Sequence, residues 1–198
     1  MNIPLLIETI RFLRPLQVIY QLKHRLFHPK MKAVVSPVIA HSMKIIAPIA
    51  KYSCYDGIGQ FSFLNSSSSF EGWDMKTHDP LWTYNLNYMD WLEQENITAE
   101  ECLKWIDKFI DELSDNHSGQ DPYPTALRII NWAKFFCKHP ECRSKRRLDS
   151  MYSQTLLLER KLEYHLLGNH LLEDSYALTI AAIFFVQDVT PEYTQHPQ

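Results

Sequence analysis

Two polar residues, Asn169 and His170, stand together in a stretch of sequence that is otherwise apolar. Gly168 precedes them and frees the backbone, and a new helix is expected to begin close by. An amide and an imidazole at a helix start, beside backbone N–H groups that lack helical partners, can bind a carboxylate. The alternative is structural, with Asn169 as the cap of the helix and His170 as a satisfied histidine. The spacing alone favours the structural alternative.

A second group of polar side chains interrupts an apolar helix earlier in the chain. Arg128, Asn131, Trp132 and Phe135 are three or four residues apart, so they share one helix face. A guanidinium, an amide and an indole together suit the carboxylate and the ring face of an acidic sugar. In the alternative, Arg128 pairs with a neighbouring helix and stacks on Trp132. The sequence leaves both interpretations open.

The elements that would position these residues are predicted to be helices. Glycine is scarce, with five residues in 198, and the common residues favour helix over sheet. Thr98 and Glu101 form a capping-box pattern at the start of an amphipathic helix, and residues 60–64 alternate as in a short strand. Other helices are predicted at residues 4–27 with a division at Pro15, 82–95, 125–137, 148–166 with Gly168 as its C-cap, and 172–186. The last of these is apolar almost all round, so we expect it to be buried.

Helices joined by loops of unequal length predict an all-α protein, either an irregular helical array or part of an α/α toroid. We expect an N-terminal helix and connecting arm at residues 1–53, the main domain at 54–189 and a frayed tail at 190–198. The segment 3–27 is amphipathic and basic; it fits a membrane surface or, more commonly, packing on the domain. No stretch of about eighteen apolar residues occurs, so no membrane span is expected.

The composition excludes several classes of function. A formal net charge of -3 gives no broad attraction for nucleic acid and argues against a nucleic-acid partner. Cys137, His139 and Cys142 lie close together, but their spacing fits no standard zinc site, and we expect neither a metal nor a cofactor. The start of the chain lacks the features of a secretory signal. The cytoplasm is therefore the expected location, with the periplasm as the alternative.

Four stretches of the chain resemble the heparinase II/III-like family of polysaccharide lyases. They are FSFLN at residues 61–65, LWTYNLNYMDWL at 81–92, YPTALRIINW at 123–132 and GNHLLE at 168–173. They occur in the family's order and, with the helix that follows, cover residues 61–185. Any one of them alone is a weak signal, but the ordered set is fairly specific. The resemblance implies an incomplete α/α toroid that is followed by an antiparallel β-sandwich domain.

The resemblance also implies a reaction, β-elimination on a polysaccharide that contains uronic acid. A base removes the proton next to the uronate carboxylate, whose charge hydrogen bonds must neutralise, and the glycosidic oxygen on C4 leaves. Carried over by position, Asn169 would neutralise the carboxylate, and His170 would assist it or serve as the base. No metal is needed for these roles. The residues implied to line the cleft are Tyr84, Asn87, Tyr88, Arg128, Asn131 and Trp132.

The chain departs from the family pattern in two ways. Asn87 stands where the family usually has His in a Tyr-Asn-Leu-His-Tyr motif, so a hydrogen-bonding group is kept and a titratable one is lost. The family's catalytic Tyr lies on a later helix, and residues 190–198 resemble neither that helix nor the sandwich. The resemblance therefore implies an N-terminal fragment with little or no lyase activity alone. A non-catalytic carbohydrate-binding domain and a helical protein-interaction module remain as alternatives.

Overall fold

The fold is known here from a computed structural model, which describes residues 13–37 and 52–185. Within these residues the chain is mostly helical, which confirms the all-α prediction. Most of the first predicted helix before Pro15, the connecting segment 38–51 and the predicted tail lie outside the described residues. The α-helices are α1 (Pro15–Leu26), α2 (Pro80–Tyr88), α3 (Ala99–Glu112), α4 (Pro122–Lys138), α5 (Lys145–Lys161) and α6 (Gly168–Phe184).

A β-hairpin precedes the main group of helices. Its strands, β1 (Gln60–Phe63) and β2 (Ser66–Ser69), pair antiparallel. The two linking residues, Leu64 and Asn65, both have positive φ, as a tight two-residue hairpin turn requires. The prediction of a strand at this place is confirmed. The run of serines at residues 66–69 forms the second strand and completes the ladder of backbone hydrogen bonds.

The start of α3 follows the sequence signal, whereas two other helix ends do not. The Thr98 side chain accepts a hydrogen bond from the backbone N–H of Glu101, which confirms the predicted cap. The helix expected at 82–95 stops at Tyr88, because Met89 has a φ of 53°. The chain then continues as a short 3₁₀ turn, Asp90–Glu93. Gly168 does not cap the preceding helix; that helix ends at Lys161, and Gly168 begins α6.

Helix α4 lies at the centre of the fold and packs against α2, α5 and α6. It is buried along most of its length and carries Trp132, Phe136 and Ile129 into the core. Aromatic rings continue this core toward the hairpin. The Phe61 ring of β1 lies 4.9 Å from that of Trp91 and 5.1 Å from that of Trp105, both in edge-to-face geometry, which is a favourable arrangement for such rings.

Helix α6 is only half buried, so the prediction of full burial was wrong. Its inward side carries Ala177, Ala181 and Phe184, which face α4 and α5. On its other side Leu172 and Tyr176 are each about half exposed. No other described element covers that side. An apolar composition on all faces therefore did not distinguish a helix in the interior from one at the edge of the packed group.

Helix α1 contacts the domain through a few side chains only. The Tyr20 ring lies 4.6 Å from that of Tyr164, and the His24 ring 4.3 Å from that of His165. No α1 residue is buried, and Ile19 and Leu26 are largely exposed. None of the helices in the described part of the chain is both long and apolar enough to cross a bilayer.

Arg128 of α4 is completely buried and joins three neighbouring segments. Its guanidinium donates to the side chain of Gln154 on α5 at 2.7 Å, to the backbone carbonyl of Asn87 on α2 at 3.1 Å and to that of Gly119 at 2.7 Å. It also lies over the ring of Phe109, 4.2 Å from its centre. Burial lowers the pKa of Arg128 to about 9, which leaves the group charged at neutral pH.

Replacing this guanidinium should destabilise the whole fold. Arg128→Met removes the Arg128 donor from the Asn87 carbonyl and from the Gln154 amide, and one of two side-chain donors from the Gly119 carbonyl. We therefore expect it to lower the free energy of unfolding by about 3 kcal/mol or more. Denaturant titration measures this loss. The matched change at exposed Arg160 should alter stability by no more than about 0.5 kcal/mol. An Arg128→Met protein of wild-type stability would contradict the structural role.

Candidate functional site

Five polar and aromatic side chains gather where α2, α4 and α6 come together; Tyr84, Tyr123 and His170 are partly exposed, and the other two are buried. Helix α2 contributes Tyr84 and Tyr88, and the first turn of α4 contributes Tyr123. The start of α6 contributes His170, and the loop between α5 and α6 contributes Glu163. These side chains form the candidate site.

His170 and Glu163 form a hydrogen-bonded pair at the centre of this site. Their Nδ1 and Oε2 atoms are 2.9 Å apart. The Glu163 side chain is buried, whereas the His170 side chain is 42% exposed. A carboxylate accepts from Nδ1–H, so in neutral His170 the proton lies on Nδ1 and the free lone pair lies on Nε2. His170 therefore offers Nε2 as a proton acceptor, and the hydrogen bond from Nδ1 to Glu163 fixes the orientation of its ring.

Three tyrosines belong to the site, and one of them, Tyr123, contacts the histidine. The Tyr123 ring lies 4.5 Å from that of His170, and the Tyr88 ring lies 5.8 Å from that of Tyr123. The Tyr84 hydroxyl donates to Oδ2 of Asp121 at 2.7 Å. The pKa of each phenol is raised, in every case chiefly by burial, and for Tyr84 also by its hydrogen bond to Asp121. These hydroxyls therefore stay protonated at neutral pH and do not act as bases there.

The backbone just before His170 adopts an uncommon conformation. Leu167 has φ 60° and ψ -158°, a combination that costs a residue with a side chain about 1–3 kcal/mol. Gly168 follows at φ 58°, where glycine is unstrained. Leu167, not Asn169, is the N-cap residue of α6, so the structural alternative for Asn169 was wrong. Asn169 is exposed in the first turn of the helix, where backbone N–H groups lack helical partners.

Asp174 lies one helical turn beyond His170 and is fully buried. Its Oδ2 accepts from the backbone N–H of Glu163 at 3.0 Å, which ties α6 to the loop that carries the His170 partner. Its Oδ1 has no hydrogen-bond partner within the described residues. Burial, together with the nearby Glu163 charge, raises the pKa of Asp174 to about 6. Asp174 thus helps to position Glu163, the partner of His170, but the burial of its carboxylate destabilises the fold when that group is charged.

Several residues expected to line the cleft lie in the core instead. Arg128 and Trp132 are fully buried; the Trp132 indole N–H points to Sδ of Met89 at 3.3 Å. Asn131 is buried and donates to the carbonyl of Tyr88 at 3.0 Å. For Arg128, the pairing with a neighbouring helix describes the structure, although the ring it covers is Phe109 and not Trp132.

Asn87 is also a core residue and not a wall of the cleft. Its amide donates to the carbonyls of Trp73 and Thr83 at 2.9 and 2.8 Å. Its carbonyl oxygen accepts from the side chain of Asn116 at 2.8 Å. Donor and acceptor are thus both used inside the fold. Of the residues predicted from the sequence, the structure brings Tyr84, Tyr88 and His170 into one site, with Asn169 beside His170 in the chain.

Three carboxylates of the site were missed by the sequence analysis. Glu163 and Asp121 lie in connecting segments, where acidic residues are ordinary and carry no signal. Asp174 did give a signal, because a lone aspartate in an apolar helix, four residues after His170, falls on the same helix face. Tyr123 was part of a resembling motif, but it had been given no role.

The buried Asp174 carboxylate makes stability depend on pH. The pKa of this carboxyl group is near 3.8 in the unfolded chain and about 6 in the native protein. The stability that the group contributes is therefore fully present below pH 3.8 and is lost as the pH rises through about 6. We expect Asp174→Asn to gain about 2 to 3 kcal/mol relative to wild type between about pH 4 and pH 8. Denaturant unfolding across this range measures the difference.

The exposed Asp115 provides the control, since Asp115→Asn should show no such pH-dependent gain. A constant difference between wild type and Asp174→Asn across the whole range would show that the carboxylate is not strained by burial.

Comparison with known proteins finds no relative: no family model, no curated protein and no solved structure matches the chain. A role for the site is therefore argued from its geometry and from the resemblance of its motifs.

Proposed function

We propose that this chain is the N-terminal helical part of a polysaccharide lyase that acts by β-elimination on polysaccharide containing uronic acid. The observation that carries the proposal is the His170–Glu163 pair beside Asn169. The 2.9 Å hydrogen bond fixes the imidazole, the His170 side chain is partly exposed, and the exposed amide of Asn169 lies next to it in the chain at a helix start. We further propose that the helix pairs are part of an incomplete α/α toroid, in keeping with the packing of α4 against α2, α5 and α6.

Elimination requires the removal of a weakly acidic proton next to a carboxylate. In the proposed reaction the Asn169 amide and the N–H groups at the start of α6 donate hydrogen bonds to the uronate carboxylate. Nε2 of His170 takes the proton from C5. The electron pair of that C–H bond forms the C4–C5 double bond, and the C4–O bond breaks. A proton then reaches the leaving glycosidic oxygen from a nearby acid or from water.

The tyrosines of the site support binding more than they support proton removal. With raised pKa values, Tyr84 and Tyr123 remain protonated at neutral pH. The Tyr123 hydroxyl can donate a hydrogen bond to a sugar oxygen, whereas the Tyr84 hydroxyl, which donates to Asp121, can accept one from a sugar hydroxyl. Aromatic rings also offer flat faces to the C–H groups of a sugar. This feature favours a second candidate function, binding of acidic polysaccharide without cleavage.

Changes at the two polar residues should reduce saccharide affinity and leave the fold intact. We expect Asn169→Ala to weaken binding of a uronate oligosaccharide about tenfold, because it removes a hydrogen bond to a charged group. We expect His170→Ala to weaken binding as well, because it removes the imidazole that contacts the sugar at C5 in the proposed complex. Calorimetric titration with defined alginate or heparan oligosaccharides measures the affinity, and thermal unfolding checks the stability. A neutral oligosaccharide of equal length should not bind measurably.

His139 is the matched control for the histidine variant. It also pairs with a carboxylate, Glu141, at 3.3 Å, but it lies at the far end of α4. His139→Ala should keep wild-type affinity. If His170→Ala lowers only stability while affinity per folded molecule is unchanged, the structural interpretation of His170 is correct and the proposal is wrong.

The isolated chain should show little or no elimination activity. The described tyrosines near His170 have raised pKa values, so no phenolate assists the histidine at neutral pH. Ultraviolet absorbance of the unsaturated uronate product, followed with the same oligosaccharides, measures turnover. Robust turnover that Asn169→Ala and His170→Ala abolish would overturn this expectation and make the chain a complete catalyst.

A further inference from the structure

A cavity of about 350 Å³ lies between α1, the end of α5 and the loop that follows α5. Ring contacts of Tyr20 with Tyr164 and of His24 with His165 hold the two sides together. The Gln17 side chain adds a hydrogen bond of 3.4 Å to the carbonyl of His165. The cavity thus exists because α1 is attached at this place.

Three basic side chains line the cavity wall. Lys23 comes from α1, and Arg160 and Lys161 come from the last turn of α5. Cations in a last helical turn are ordinary, because they complement the helix dipole; here two helices bring theirs to one cavity. Within residues 13–37 and 52–185, neither Lys23 nor Arg160 forms an ion pair with a carboxylate.

Two carboxylates and three imidazoles complete the charged groups of the lining. The carboxylates are Asp121, which accepts from the Tyr84 hydroxyl, and Glu159, which is exposed. The imidazoles belong to His24, His28 and His165. Burial and the neighbouring His24 and His170 lower the pKa of His165, so it is neutral at neutral pH. The lasting positive charge therefore comes from the lysines and the arginine.

The cavity adjoins the candidate site. Asp121 lines the cavity and also holds the Tyr84 hydroxyl of the site. Lys161 lines the cavity as well, and its charge is opposed by those of Asp121 and Glu163. The volume is at the lower end of the range for small-molecule sites and is large enough for one or two sugar rings.

We infer that this cavity is a second subsite, which binds an acidic group of a sugar adjoining the one held at Asn169 and His170. The inference rests on the proposed function, since it takes the same polysaccharide as the ligand. The acidic group is a carboxylate or a sulfate ester, and Lys23 and Arg160 donate charge-assisted hydrogen bonds to it. The rings of Tyr20 and Phe27 provide apolar surface for the sugar.

A double variant and histidine NMR signals test the subsite. Lys23 and Arg160 are both exposed, so Lys23→Gln with Arg160→Gln should fold normally. We expect it to bind an acidic oligosaccharide about tenfold more weakly. In the wild type, that oligosaccharide should shift the ring signals of both His165 and His170. In the double variant the His170 shift should persist at higher ligand concentration, and the His165 shift should be lost.

The control variant, Lys104→Gln with Arg146→Gln, removes the same charge elsewhere and should bind as wild type. Unsulfated and sulfated oligosaccharides and inorganic sulfate alone distinguish a preference for carboxylate from one for sulfate.

If the His170 signal shifts and the double variant binds like wild type, or if the control variant weakens binding equally, the subsite is wrong and the proposed function stands. If His165 responds without His170, the cavity binds acidic groups and the proposed function is wrong. If neither responds, both are wrong.

Discussion

A buried guanidinium holds the centre of this fold, and the position of the candidate site depends on it. Arg128 donates to carbonyls that lie near the end of α2 and in the turn before α4, both places where backbone acceptors lack helical partners. These dipoles stabilise the charge in place of a carboxylate. Gly119 is required beside them, since a Cβ there would lie 2.1 Å from Nδ2 of Asn116. The network fixes α2 against α4, and hence Tyr84 and Tyr88 against Tyr123.

The sequence predicted the helical class and several element positions because those follow from local rules. The Thr98 cap and the alternation at residues 60–64 each depend on neighbours a few residues away, and both predictions hold in the structure. The end of α2 and the start of α6 were misplaced because the left-handed residue Met89 and the strained residue Leu167 have no local sequence signature.

The site was predicted in part for a related reason. Helical spacing shows which residues share a face, but not whether that face meets solvent or another helix. Arg128 and Trp132 do share a face, and it is buried because α4 has neighbours on most of its sides. Nor does spacing show which polar groups form hydrogen bonds with one another in the core, as the side chains of Asn87 and Asn116 do. His170 could be predicted because it and Asn169 are polar residues within an apolar stretch. Glu163 could not, because an acidic residue in a loop is ordinary.

Charge imposes a division of roles within the site. A histidine that removes a proton must be neutral when substrate binds, whereas a histidine that neutralises a carboxylate must be cationic. One imidazole therefore does not serve both purposes in the same step. In the proposed reaction, with His170 neutral, the uronate would approach Glu163, Asp121 and Asp174 without a compensating imidazolium. Asn169 and the helix start must then hold the carboxylate by neutral donors, and Lys161 is the cation whose charge is coupled to both Glu163 and Asp121. At the proposed subsite, Lys23 and Arg160 would give an acidic polymer the favourable charge that the proposed catalytic pair of His170 and Glu163 lacks.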